Sequence, residues 1–154
     1  MRLFTLCLIT AVLPALAHAQ GDDNAMELTL GSGPHRGTYK LTPFDVVCVH
    51  FKEKKQFGVA YYDSTARDAK RLHRLTVNIP QTTNSGPQTG HINAMFGEAK
   101  GKPIAEYRVS VPTESKGPLT MTTKGKVVSV AFEGSTKSGV PLRISATCRT
   151  IDEF

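Results

Sequence analysis

From Val140 to Arg149 the chain alternates without interruption: Val140, Leu142, Ile144, Ala146 and Cys148 fall at one parity, Pro141, Arg143, Ser145, Thr147 and Arg149 at the other. A repeat of two belongs to an extended strand, because successive side chains leave a pleated backbone on opposite faces. The alternation puts one face in a core and the other in water, with Cys148 facing inward. The same repeat recurs at Leu75, Val77 and Ile79, at Ile92, Ala94 and Phe96, at Ala105, Tyr107, Val109 and Val111, and at Val128, Val130 and Phe132. Shorter candidates are Met26 to Leu30, Gly37 to Leu41, Phe57 to Tyr61 and Leu119 to Thr123. Phe44 to Phe51 is apolar at both parities apart from Asp45 and His50, which predicts a central strand covered on both sides.

Turn chemistry separates these segments at Gly97 to Pro103, Pro112 to Pro118, Lys124-Gly125 and Gly134 to Gly139, so the second half reads as an antiparallel meander. Pro80 to Gly90 is the longest breaker-rich stretch and is expected to be a loop. Gly31 to Gly37 (GSGPHRG) is expected to join the first two strands, with an anion-binding nest as the alternative use of its exposed amides. One segment does not alternate: in Asp63 to Arg74, Thr65 and Asp68 hold capping-box positions and Ala66, Ala69 and Leu72 follow at intervals of three, which predicts a short helix. The expected fold is therefore all-β, an antiparallel β-sandwich or small barrel of about eight to ten short strands with one short helix.

Residues 1–19 have the form of a secretory signal peptide: Arg2, an apolar run from Leu3 to Leu16, then Ala17-His18-Ala19. The run is shorter than the roughly 20 residues a helix needs to cross a bilayer, so no transmembrane segment is expected. Residues 20–154 are read as one β-sandwich domain, soluble and either secreted or periplasmic. Of three cysteines, Cys7 falls in the leader, leaving Cys48 and Cys148 for a disulfide in an oxidising compartment.

With 19 Lys+Arg against 13 Asp+Glu the chain is basic, and its charge is concentrated. On the expected helix, Arg67, Lys70, Arg71 and Arg74 share a face, joined in sequence terms by Lys52, Lys54 and Lys55. That face is a candidate anion-binding site for an anionic surface, a polysaccharide or a lipid headgroup. Nucleic acid is not expected, since no strand interleaves aromatic with basic residues.

The parts for catalysis are not legible. There is no Gly-x-Ser-x-Gly elbow and no Gly-rich phosphate loop. His35, His50, His73 and His91 do not share a ligand spacing and are read as surface residues, with His50 beside the central strand. Glu98, Glu106, Glu114 and Glu133 read as solvated carboxylates. Neither a catalytic residue, a metal site nor a cofactor is predicted. The expectation is a non-enzymatic exported binding or accessory module acting through loops or a basic surface. The alternative is a small secreted hydrolase or metal-dependent enzyme whose residues converge only in three dimensions.

Overall fold

The computed structural model describes residues 23–83 and 86–154; the expected signal peptide lies outside the described residues. Twelve strands appear among them: β1 (Ala25–Leu30), β2 (Gly37–Leu41), β3 (Val46–Phe51), β4 (Gln56–Tyr62), β5 (Leu72–Ile79), β6 (Gly86–Gln88), β7 (Gly90–Phe96), β8 (Ala105–Val111), β9 (Leu119–Lys124), β10 (Val127–Ser135), β11 (Pro141–Cys148) and β12 (Asp152–Glu153). They form two six-stranded sheets, one in the order β2-β1-β11-β10-β9-β6 and the other in the order β12-β3-β4-β5-β7-β8. Neighbours are antiparallel except β12, which runs parallel to β3. This is the expected β-sandwich, and the meander is real for β9, β10 and β11. No described helix is long and apolar enough to cross a membrane.

The alternating residues meet between the sheets. Leu28 and Leu30 of β1, Phe132 of β10 and Leu142 and Ile144 of β11 pack toward Leu75 and Ile79 of β5 and Ile92 and Phe96 of β7, all fully buried. Each such side chain is worth about 1.5–3 kcal/mol of transfer free energy. Cys48 and Cys148 are bridged across this core, with Cα atoms 6.0 Å apart and 100 residues between them.

Contacts along two strands show how the sheets cross. On β3, Val46 accepts the Asn24 amide at the start of β1, Cys48 is bonded to Cys148 at the end of β11, and His50 shares a hollow with Val128 at the start of β10. On β7, Leu119 at the start of β9 lies against Gly90, and the β1–β2 loop rests its His35 ring on Phe96 at a centroid distance of 4.2 Å. The strand ends of the first sheet thus run lengthwise along strands of the second, which is orthogonal packing. Such packing makes corners, and the chain turns one of them by leaving the second sheet after β5 and entering the first as β6.

Three expectations need correction. Asp63 to Arg74 is not a helix; it is a turn-rich loop leading into β5. Asp63 Oδ1 accepts both the backbone N–H and the hydroxyl of Thr65 (2.8 and 2.7 Å), and Asp68 Oδ1 accepts the N–H of Lys70 (2.9 Å). Local side-chain acceptors of this kind satisfy the amides that a first helical turn would leave open, so the capping residues stabilise turns instead. The only helical element described is a 3-10 turn at Pro43–Asp45. Next, β3 is neither central nor covered on both sides: Val46 and Cys48 are buried, but Val47 is 47% exposed, and beyond the strand on the side away from β4 lies only the two-residue β12. Finally, Pro80 to Gly90 holds β6, which is too short to announce itself and pairs with β9.

Candidate functional site

At one corner of the sandwich the loops 31–36, 63–71 and 97–104 are fastened to one another. His35 is buried; its Nδ1 lies 3.1 Å from the Tyr107 hydroxyl and its Nε2 3.4 Å from the Ala69 carbonyl. A carbonyl only accepts, so the Nε2 contact needs the proton on Nε2, and with that tautomer Nδ1 is the acceptor for the Tyr107 hydroxyl. Burial raises the Tyr107 hydroxyl above its ordinary pKa and keeps it a donor. Tyr39 is raised likewise, by burial and then by Tyr107, and donates to the His35 carbonyl at 2.8 Å. Backbone bonds from Ala99 to Ala66 and from Gly97 to Arg71 complete the seam.

The four predicted anion-binding residues all lie in or beside this corner, without the common face a helix would give them. Arg67 donates to the Ala66 and Ser64 carbonyls (2.9 and 3.4 Å). Arg71 pairs with the buried Asp63 carboxylate at 2.7 Å. Lys70 is exposed in the turn, and Arg74 is exposed on β5 beside Tyr62 of β4. Two of the four cations thus engage carbonyls or a carboxylate of their own loop. Asp63 also lines a polar hollow of about 380 Å³ with Asp45, Tyr61 and Lys40. The Thr65 hydroxyl, the Thr65 amide and Arg71 outweigh burial and hold the Asp63 carboxyl below the usual range. A general acid working near neutrality needs the opposite shift, so Asp63 fastens the loop.

The other corner is open. Here the β3–β4 turn, the segment after β5, the end of β8 and the segment before β9 surround a cleft with two lobes of about 790 and 650 Å³, both lined by Thr82 and Thr83. Phe51 pairs with Gln56, leaving a four-residue turn whose last member, Lys55, has φ +51°, the left-handed position typical of such hairpins. The Lys55 carbonyl accepts from Thr82 N–H. Gln88, buried on β6, clamps the same segment: its Oε1 accepts from Thr83 N–H at 3.0 Å and its amide donates to the Thr83 hydroxyl at 2.6 Å and the Gly86 carbonyl at 3.1 Å. The threonine ridge between the lobes is therefore held from both sides.

Pro87, Pro112 and Pro118 with Val111 give the first lobe an apolar wall, facing the polar turn that carries Glu53, Lys54 and Lys55. His50, Phe57, Met121 and Val128 line the second lobe with Lys126, Arg149 and Glu153. Glu153 is already paired with Lys52 at 2.6 Å. With Glu53 and the paired Glu153 set against Lys54, Lys55, Lys126 and Arg149, the cleft remains cationic. Lys54 and Lys55 were visible in the sequence only as neighbours of Lys52. Lys126, Arg149, Gln88 and the three prolines carry no local signal, because long-range strand pairing and the packing of the two sheets bring them together. His35 and His73, expected on the surface, are buried; a bulge between Leu72 and Arg74 turns His73 inward next to Leu72. Among the described residues no group of three or more His, Cys, Asp or Glu could hold a metal ion.

No family model, no curated protein and no solved structure matches the chain.

Proposed function

We propose that the protein is a binding module and that the open-corner cleft takes an extended anionic ligand. The observation that carries this reading is the concentration of Lys54, Lys55, Lys126 and Arg149 along two adjoining lobes that hold only two carboxylates, Glu53 and Glu153, the second of them paired with Lys52. A low-dielectric wall beside cations focuses their field on whatever enters, and the proline and valine wall supplies it. Two lobes across a fixed ridge suit a chain that passes over Thr82 and Thr83 rather than a compact molecule held in one hole. Binding rather than turnover is supported by where the polar groups are spent: the Gln88 amide and the Glu153 carboxylate maintain the shape of the cleft.

The test opposes the two corners. Affinity for polygalacturonate, and separately for vesicles containing phosphatidylglycerol, is measured for the parent, for K54E/K126E and for K70E/R74E, which change net charge equally. The cleft variant should bind at least about tenfold more weakly, as two contacts of roughly 0.7 kcal/mol each would give. The other variant should stay close to the parent. Binding should fall steeply with salt, since the Debye length shrinks from about 10 Å at 0.1 M to about 3 Å at 1 M. Preference for the polymer over the vesicle identifies a polysaccharide, and the reverse a lipid headgroup. Equal losses in both variants, or no binding of either probe at low salt, would overturn the reading.

A further inference from the structure

Gly58 sits in the middle of β4, an interior strand of the second sheet, and nothing in the fold requires a glycine there. Among the strand glycines described, Gly37 and Gly86 have positive φ. Gly90 and Gly134 are packed so closely that a Cβ would fall 2.5 Å from the Asn78 carbonyl and 2.7 Å from the Phe132 ring. At Gly58 φ is not in the left-handed region, and the nearest atom to an added Cβ is the Val77 carbonyl at an ordinary 3.8 Å. A strand-interior glycine costs about 0.5–1 kcal/mol relative to alanine, and one the fold does not need marks a place where something else approaches the backbone.

The register says what surrounds it. Gly58 lies between Val49 of β3 and Asn78 of β5, and the next outward residue, Ala60, lies between Val47 and Thr76. At one end of the row Tyr62 is 51% exposed; at the other Gln56 stands beside Phe51 and donates to Asn78 at 3.1 Å. The outer face of β4 is thus a trough about 20 Å long at roughly 3.3 Å per residue. One wall is aliphatic and aromatic (Val47, Val49, Phe51) and the other carries hydroxyl and amide (Thr76, Asn78). Gly58, Ala60 and these five wall residues include no ionisable group; the nearest charges stand around this stretch, Arg74 beside Tyr62 at one end, Lys54 5.9 Å from the centre of the Phe51 ring at the other, and Asp152 of β12 across from Val49.

From this neutral, two-walled trough we infer that the outer face of β4 is a second binding site, for an uncharged, extended polysaccharide. Pyranose rings present C–H faces that suit Val47 and Val49 beside the stacked Phe51–Phe154 pair, and hydroxyl edges that suit Thr76, Asn78 and Gln56. A charged polymer would find no counter-charge along the floor. An extended peptide would find no strand edge, because β4 is paired on both sides and its backbone bonds are used.

The test is affinity electrophoresis of the protein through gels containing hydroxyethylcellulose, laminarin, galactomannan or soluble starch. At least one should retard it, with little change up to 0.5 M salt, unlike the cleft. Gly58→Val fills the trough where a Cβ has room, so the variant should fold at least as stably as the parent while its affinity falls about tenfold or more. Asn78→Ala and Tyr62→Ala should weaken binding by smaller factors and guard against a folding artefact in Gly58→Val. Lys126→Glu, in the cleft and away from the trough, should leave glycan retardation unchanged, which separates failure here from failure of the cleft reading. No retardation by any of the four glycans, retardation indifferent to Gly58→Val, or Gly58→Val-sensitive binding of an extended peptide instead would each overturn the inference.

Discussion

The two corners of the sandwich use similar residues to opposite ends. At the closed corner, Arg67 and Arg71 are turned onto carbonyls and a carboxylate of their own loop, and a histidine, two tyrosines and a phenylalanine fill the space beneath. At the open corner, Lys54, Lys55 and Lys126 stay exposed along a cleft whose threonine ridge is clamped from below by Gln88. Two of the four cations in the densest run of charge are therefore engaged within their own loop, while the cations of the proposed binding cleft come from separate segments. What decides between the two is whether an acceptor lies within reach of the same loop. Asp63 is 8% exposed by side chain and supplies one to Arg71; the β3–β4 turn has no such buried carboxylate, and its one ion pair, Lys52 with Glu153, is exposed on both sides and leaves Lys54 and Lys55 to the cleft.

If this division is right, stability should suffer most from changes at the closed corner and binding most from changes at the open one. The largest expected loss of stability comes from neither. Replacing Cys48 and Cys148 by serine releases β3 from β11 and should cost up to about 4 to 5 kcal/mol in the chain-entropy model for a loop of this length, read by urea denaturation. If the variant remains folded, its polygalacturonate affinity should be kept, because the cleft is held by Gln88 and Lys55 rather than by the bridge. His35→Ala comes next, at about 2–3 kcal/mol, because it leaves a cavity over Phe96 and strands the Tyr107 hydroxyl and the Ala69 carbonyl. Loss of cleft binding in a folded His35→Ala protein would show that the corners are coupled.

Asp63→Asn should cost about 2 kcal/mol at neutral pH, the range for buried hydrogen bonds to a charged group. Its pH dependence sharpens the assignment. The Asp63 carboxyl is held below its ordinary value in the folded chain, so its contribution is fully present above the unfolded pKa of about 3.9 and is lost as pH falls through the folded one. The gap between parent and variant should close in strong acid; a gap that persists there would show that Asp63 acts by packing alone. K54E/K126E should move stability least, by no more than roughly 0.5 kcal/mol, since exposed positions away from caps rarely do more, while producing the largest change in binding to anionic polymer. A variant that lost stability instead would place these lysines among the structural cations.

Periodicity located the strands because burial of alternate residues is a local instruction: Val140 to Cys148 and Ile92 to Phe96 turn the side chains to the core that their parity demands. The pairing of Cys48 with Cys148 also followed from the chain, by elimination rather than geometry. The Asp63 to Arg74 helix failed for a reason the residues contain, since Asp63 and Asp68 bond forward to Thr65 and Lys70, but a capping box and a pair of Asx turns look alike until the backbone chooses.

Two apolar parities in Phe44 to Phe51 were equally ambiguous. Alternation tells which residues can be buried, and only the position of a strand in its sheet tells whether a second layer exists to bury the other set. Strand parity and turn positions were thus fixed by nearest-neighbour chemistry along the sequence, and the bridge by the number of cysteines left to pair. The angle at which the sheets cross is a property of the packed pair. With the long-range pairing of the strands, that packing set Lys54 and Lys126 on adjoining lobes, placed Pro87 with Pro112 and Pro118, closed one corner over His35, and left the outer face of β4 uncovered.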